Sequence, residues 1–232
     1  VPYVLGSNRT VAELAEGGSI KNTLSLPAEL GEPAGLLTLP GTMLLVRGTN
    51  GTQALVNTAT KKISLLATPL ELLDGSTYEK NFYYLSSREP TNIYRTSMAG
   101  VAFSTPARWL KGQTSLLSGA LSLAVDGNIY VLRNGTIERY TRGVKTDFSP
   151  QHTTGLVASS LIRTDGASQY IYALSPAHNQ VVVYDKQGKL VSQLNFPQNL
   201  PATAMGIDTI SQTLYILSNH SVFKVKPLEY RP

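Results

Sequence analysis

Apolar positions in this chain come in short runs, alternating with polar ones or unbroken for a few residues, and most runs stop at a glycine-bearing pair. The stretch from Gly119 to Pro150 carries the pattern most plainly. There Ala120–Val125, Asn128–Leu132, Thr136–Tyr140 and Val144–Phe148 are separated by Asp126-Gly127, Asn134-Gly135 and Arg142-Gly143. Glycine turn signals between runs of strand formers predict hairpins, so this stretch reads as a meander of strands a, b, c and d. Residues 157–196 repeat it with Ala158–Arg163, Tyr170–Leu174, Gln180–Tyr184 and Leu190–Asn195. Leu36–Leu39, Met43–Val46, Gln53–Val56 and Lys62–Leu66 form an earlier unit, and Leu70–Leu73, Phe82–Leu85, Asn92–Arg95 and Val101–Ser104 the next. The ends supply partial units. Tyr3–Leu5, Thr10–Leu14 and Ile20–Leu26 lack strand a, while Ala202–Ile207, Leu214–Leu217 and Val222–Val225 lack strand d.

The b strands share a tyrosine-centred form whose copies begin at Tyr3, Leu44, Tyr83, Tyr130, Tyr172 and Tyr215, with spacings of 41, 39, 47, 42 and 43 residues. A period of this size with several strands per unit predicts an all-β fold, a β-propeller of six four-stranded antiparallel blades. The expected blade units are residues 1–27, 35–68, 70–105, 119–150, 157–196 and 202–227, forming a single domain. Because Val1 falls inside a strand, the domain is read as excised from a longer protein. Helical periodicity fits only Ala107–Leu117, a longer connection that holds the one tryptophan, Trp109. Strand alternation packs the repeated tyrosines between adjacent blades.

Composition supports a core and narrows the partners. Hydrophobic residues make up 42% and charged residues 15% of the chain, the latter low against roughly 25% in a typical soluble domain. The net charge of +5 favours anionic partners, but it is spread along the chain and forms no basic tail, so no nucleic-acid partner is expected. The absence of cysteine excludes disulfides and thiolate metal sites. No apolar run reaches the ~20 residues of a membrane span. Any tether belongs to the parent protein, and an extracytoplasmic or cell-surface placement in a bacterium is favoured.

Ser168-Gln169-Tyr170-Ile171-Tyr172-Ala173-Leu174, followed by His178-Asn179-Gln180-Val181-Val182-Val183-Tyr184-Asp185 and the Lys186-Gln187-Gly188-Lys189 turn, resembles the NHL-type repeat. Residues 126–143, with Asp126-Gly127-Asn128-Ile129-Tyr130-Val131-Leu132, Gly135-Thr136-Ile137 and Tyr140-Thr141-Arg142-Gly143, are also similar to the propeller that follows a transmembrane helix in some bacterial proteins with a PPM-type phosphatase front half. Nothing in the chain resembles the phosphatase itself. Both resemblances imply a propeller and leave its ligand open.

In such a meander the b–c and d–a connections lie on one face of the disc and the a–b and c–d connections on the other. Every b–c turn carries Arg or His: Arg9, Arg47, Arg88, Arg133, His178 and His220. With Trp109 on the same expected face, these residues form a candidate binding set for a protein, an acidic peptide or an anionic glycan. Exposed turns accept Arg and His freely, so solvated turn residues compete with that reading. The a–b turns carry Asp74, Asp126, Asp165 and Asp208, which read as turn chemistry rather than as ligands of a cation. Of the inner strands only Leu70–Leu73 contains an acidic residue, Glu71. No elbow serine motif, phosphate loop or catalytic constellation is found. The sequence therefore leads to a non-enzymatic binding module without catalytic residues, metal or cofactor, with a channel-centred, metal-dependent lactonase-type hydrolase as the alternative.

Overall fold

The computed structural model describes residues 2–16, 18–112, 117–208, 211, 213–219 and 221–225. Six antiparallel sheets follow one another along the chain. The first holds β1 (Tyr3–Gly6), β2 (Thr10–Leu14) and β3 (Ile20–Ser25), and the second β4 (Pro33–Thr38), β5 (Met43–Gly48), β6 (Gln53–Asn57) and β7 (Ile63–Leu65). The third holds β8 (Leu72–Tyr78), β9 (Asn81–Ser86), β10 (Ile93–Ala99), β11 (Ala102–Phe103) and β12 (Ala107–Arg108). The fourth is β13 (Ala120–Val125), β14 (Ile129–Arg133), β15 (Thr136–Thr141) and β16 (Val144–Thr146). The fifth is β17 (Leu161–Arg163), β18 (Tyr170–Ser175), β19 (Gln180–Asp185) and β20 (Leu190–Asn195), and the sixth β21 (Ala202–Asp208), β22 (Thr213–Ser218) and β23 (Ser221–Val225).

While β1, the b strand of the first sheet, lies against β4, the inner strands of successive sheets lie side by side, β4 by β8, β8 by β13, β13 by β17 and β17 by β21. That order puts them at the axis of a six-bladed β-propeller, the all-β architecture read from the repeat. Ala107-Arg108 is a strand hydrogen-bonded to Tyr94-Arg95 and not the start of a helix. Its extended backbone satisfies groups on the outer edge of β10 that would otherwise face solvent.

Five apolar layers fill the seams between consecutive blades, and the b strands dominate them. Tyr83, Tyr130 and Tyr172 are buried toward the following blade. Burial pushes the Tyr130 phenol up to about 12, so it serves as packing rather than as an acid. The second blade corrects the repeat by one residue. Leu44 packs back against the first blade with Val11 and Leu26, whereas Leu45 faces the third with Phe82 and Tyr84. A one-residue slip exchanges the two faces of a strand, so Leu45, and not Leu44, is the partner of the tyrosines. In this register Leu5, Leu85, Leu132, Leu174 and Leu217 share one position, which faces the next blade in the first, third, fourth and fifth, and the second blade places Arg47 there.

Candidate functional site

The leading strands carry a recurrent irregularity. Register shifts fall between Pro33 and Gly35, Leu72 and Gly75, Ala120 and Ser122, and Ala202 and Ala204. Each is a β-bulge near the start of an inner strand, a device that re-aims the residue after it. In β8 that residue is Asp74.

Asp74-Gly75 is therefore not the turn that the dipeptide suggests. β8 runs through it to Tyr78 and turns at Glu79-Lys80, where Glu79 takes φ 54°. Glycine is needed at position 75 for packing: a Cβ there would lie 2.4 Å from Phe82 Cζ. The bulge and this contact send the Asp74 carboxylate inward, leaving Asp74 6% exposed.

Three consecutive inner strands converge on that carboxylate. Arg163, on β17, grips it in bidentate fashion, Nη1 donating to Oδ2 at 3.0 Å and Nη2 to Oδ1 at 3.2 Å. Ser122, on β13, donates its hydroxyl to Oδ2, and the Leu123 amide donates to the same oxygen at 3.2 Å. Ser122 Oγ in turn accepts the Ile162 amide at 3.1 Å and Arg163 Nη1 at 3.3 Å. The strands that line a propeller axis have one unpaired edge, and these side chains satisfy part of it from the blade before. Arg163 is the member most open to solvent, with 21% of its side chain exposed against 9% for Asp74. Next to them in sequence, the bulge residues Leu73 and Leu121 are 38% and 52% exposed, two apolar side chains left open to solvent. Ser122 and Arg163 went unnoticed in the sequence. The available signals were an arginine at the end of an apolar inner strand and a serine one residue past a bulge.

The remaining aspartates behave as turn residues. Asp165 accepts the Ala167 and Ser168 amides, and Asp208 the Ser211 amide. Asp126 accepts the Asn128 amide and also receives Lys186 Nζ at 2.6 Å, which ties the fourth blade to the fifth. Glu71 is not on an inner strand. It precedes β8 and reaches Arg88 at 3.7 Å with most of both side chains in solvent.

The members of the basic set each have their own local surroundings. Arg9 and His178 are exposed on their turns, with His178 Nδ1 3.2 Å from Ser175 Oγ. Arg133 closes β14, donating to the Ser118 carbonyl at 2.8 Å and lying 3.6 Å from Glu138. His220 lies outside the described residues. Trp109 stands edge-on to Tyr83 at 6.1 Å in the seam between the third and fourth blades, which is where a lid over an inter-blade gap would be. Arg47 is within β5 rather than in a turn, and its Nη1 donates to the Leu72 carbonyl at 2.8 Å. It lines a cleft of about 230 Å³ between the second and third blades, with Gly48, Gly51, Pro69, Glu71 and Ser87 around it.

Neither a family model nor a curated protein matches the chain by sequence. Solved structures do match in fold. A gluconolactonase from Xanthomonas campestris aligns over 94% of this chain and 78% of its own with a TM-score of 0.66 at 16% identity. A virginiamycin B lyase from Staphylococcus aureus aligns over 93% and 76% with a TM-score of 0.58 at 14% identity. A calcium-binding protein, regucalcin, from Agrobacterium tumefaciens aligns over 92% and 76% with a TM-score of 0.60 at 16% identity. Likeness at these identities establishes the six-bladed propeller and leaves the NHL-type label without support from a family match. It also corrects the expectation of a non-enzymatic binding module. The architecture is shared with a lactonase and a lyase, so the propeller fold gives no ground for preferring a module without catalysis.

A calcium ion of the kind named for the regucalcin finds no matching donor set here. Hard divalent cations take about six to eight oxygen ligands, carboxylates foremost. Among the described residues no three His, Cys, Asp or Glu side chains converge. Both Asp74 oxygens already face Arg163, and no catalytic step is assigned to a cation.

Proposed function

We propose that the protein is a channel-centred propeller enzyme that opens small esters of the lactone class. The observation that carries this reading is the convergence of Asp74, Ser122 and Arg163 from three neighbouring inner strands. Arg163, the solvent-facing member, would hold the substrate carbonyl oxygen and the charge that builds on it. Asp74 Oδ1, which accepts only from Arg163 Nη2 among the described residues, would take the proton of an attacking water. The new carbon–oxygen bond forms from that water, the ring carbon–oxygen bond breaks, and the proton passes to the departing alkoxide. Ser122 is wholly buried and holds the carboxylate in place rather than attacking. Leu73 and Leu121 supply the apolar flank that such pockets use.

Lactone hydrolysis followed by pH-stat, with gluconolactone and simpler δ-lactones, tests the assignment. Asp74→Asn should lower turnover by about 10²- to 10⁴-fold, the usual worth of a positioned acid–base group. Arg163→Gln should do likewise. A folded protein without lactone turnover, or an Asp74→Asn variant as active as the parent, would end this reading.

A further inference from the structure

Arg47 breaks a rule that the other five blades keep. At the equivalent b-strand position they place Leu5, Leu85, Leu132, Leu174 and Leu217, and the second blade places a guanidinium. Its cross-strand partner is Gly35, and a Cβ on Gly35 would come 3.0 Å from both Arg47 Nε and Nη2. The glycine leaves the space that the guanidinium fills. Of the arginine's N–H groups, Nη1 donates to the Leu72 carbonyl, while Nε is buried with no acceptor. Arg133 and Arg163 each lie beside a carboxylate, but Arg47 has no ion-pair partner among the described residues. Glu71, the carboxylate at the cleft, is 61% exposed and lies toward Arg88.

A cation set into an apolar row costs desolvation unless an anion offsets it. Departures from an otherwise consistent pattern concentrate at functional sites. We infer that the cleft between the second and third blades binds a small carboxylate, with Arg47 as its cation. A volume of about 230 Å³ falls below the roughly 300 Å³ at which drug-sized pockets begin, so the ligand is a short organic acid and not a polymer. The planar fork of a guanidinium matches the two oxygens of a carboxylate, which selects it over a tetrahedral anion. Arg47 reaches β8 at the Leu72 carbonyl, two residues before Asp74, but shares no hydrogen bond with the Asp74, Ser122 and Arg163 set, and this site does not depend on the chemistry proposed there.

The experiment is a ¹⁵N amide titration of the whole chain with succinate, with inorganic phosphate at matched ionic strength as comparator. Saturable shifts centred on Gly48, Gly51 and Ser87 are expected, weaker with phosphate. Arg47→Gln should reduce the affinity by roughly tenfold or more, and Arg47→Leu, which restores the residue of the other blades, should abolish it. Asp74→Asn should leave it intact, which separates this site from the ester-opening reading. Shifts scattered over exposed lysines and arginines, equal affinity for phosphate, no saturation, or an unchanged affinity in both Arg47 variants would each overturn the inference.

Discussion

Arg163 and Arg47 both turn from a strand into the interior of the propeller, and they are partnered in opposite ways. Arg163 meets the buried Asp74 carboxylate along both of its oxygens, with Ser122 completing the set. Arg47 meets one backbone carbonyl and a glycine. A compensated cation joins the third blade to the fifth across the fourth. An uncompensated one holds a place for a negative charge that the described residues do not supply. The contrast shows how one repeat accommodates two kinds of site: through a bulge that re-aims an aspartate, and through one arginine where the pattern asks for leucine.

The largest expected effect comes from breaking the compensated pair. Asp74→Ala should cost about 3 kcal/mol, the lower end for stranding one member of a buried pair, because Arg163 keeps some contact with water. That corresponds to a melting temperature lower by about 6–12 °C for a chain of this size, read by thermal unfolding. Adding Arg163→Leu should recover most of the loss, and a double variant no better than the single one would show that the pair is not the source. Next comes Gly75→Ala, which forces a methyl group into the Phe82 ring beside the bulge. An overpacking cost of about 1–3 kcal/mol is expected, with lactone turnover falling as Asp74 is displaced. A variant of parental stability would argue against the role given to that glycine.

On the other side of the comparison the sign reverses. Arg47→Leu should leave stability unchanged or raise it by about 1 kcal/mol, since an unpaired cation gives way to the residue of the other blades. Denaturant unfolding decides it, and a loss above about 2 kcal/mol would make Arg47 a structural element instead. The smallest effect is conditional on pH and concerns a third charged cluster, where Glu13 accepts from Lys61, Lys21 and Asn22. The Lys61 and Lys21 hydrogen bonds hold its carboxyl at about 2, below its ordinary 4.5. With the folded pKa depressed, the stabilisation is fully present above about 4.5 and is lost as pH falls toward about 2. Glu13→Gln should therefore melt below the parent at neutral pH and converge with it near pH 2. A gap that persists in acid would assign the effect to packing.

Much of the architecture was legible because hairpin chemistry is local. Asn134-Gly135 and Arg142-Gly143 sit in turns, and all four strands of the fourth blade fall where the alternation predicts. The site was not legible, because the same dipeptide serves two purposes. Asp126-Gly127 turns the chain, with Gly127 at φ 105°, whereas Asp74-Gly75 continues a strand because Phe82 lies over the glycine. Nothing within a few residues of Asp74 distinguishes the two cases. In the second blade, a run of apolar residues from Met43 to Val46 concealed a slip of one residue, and with it the fact that Arg47 points into a seam.

The sequence by itself determined the repeat, the blade count and the apolar rows, since period and alternation are properties of consecutive residues. Tertiary structure alone decided which charges meet. Asp74 and Arg163 are separated by 89 positions and Ser122 stands between them, so their convergence depends on three blades closing around one axis. The same closure sets Arg47 against Leu72 of the next blade, while Glu71 at the cleft lies toward Arg88. Pairing across seams follows from bulges and register, and those are settled when blades pack against one another.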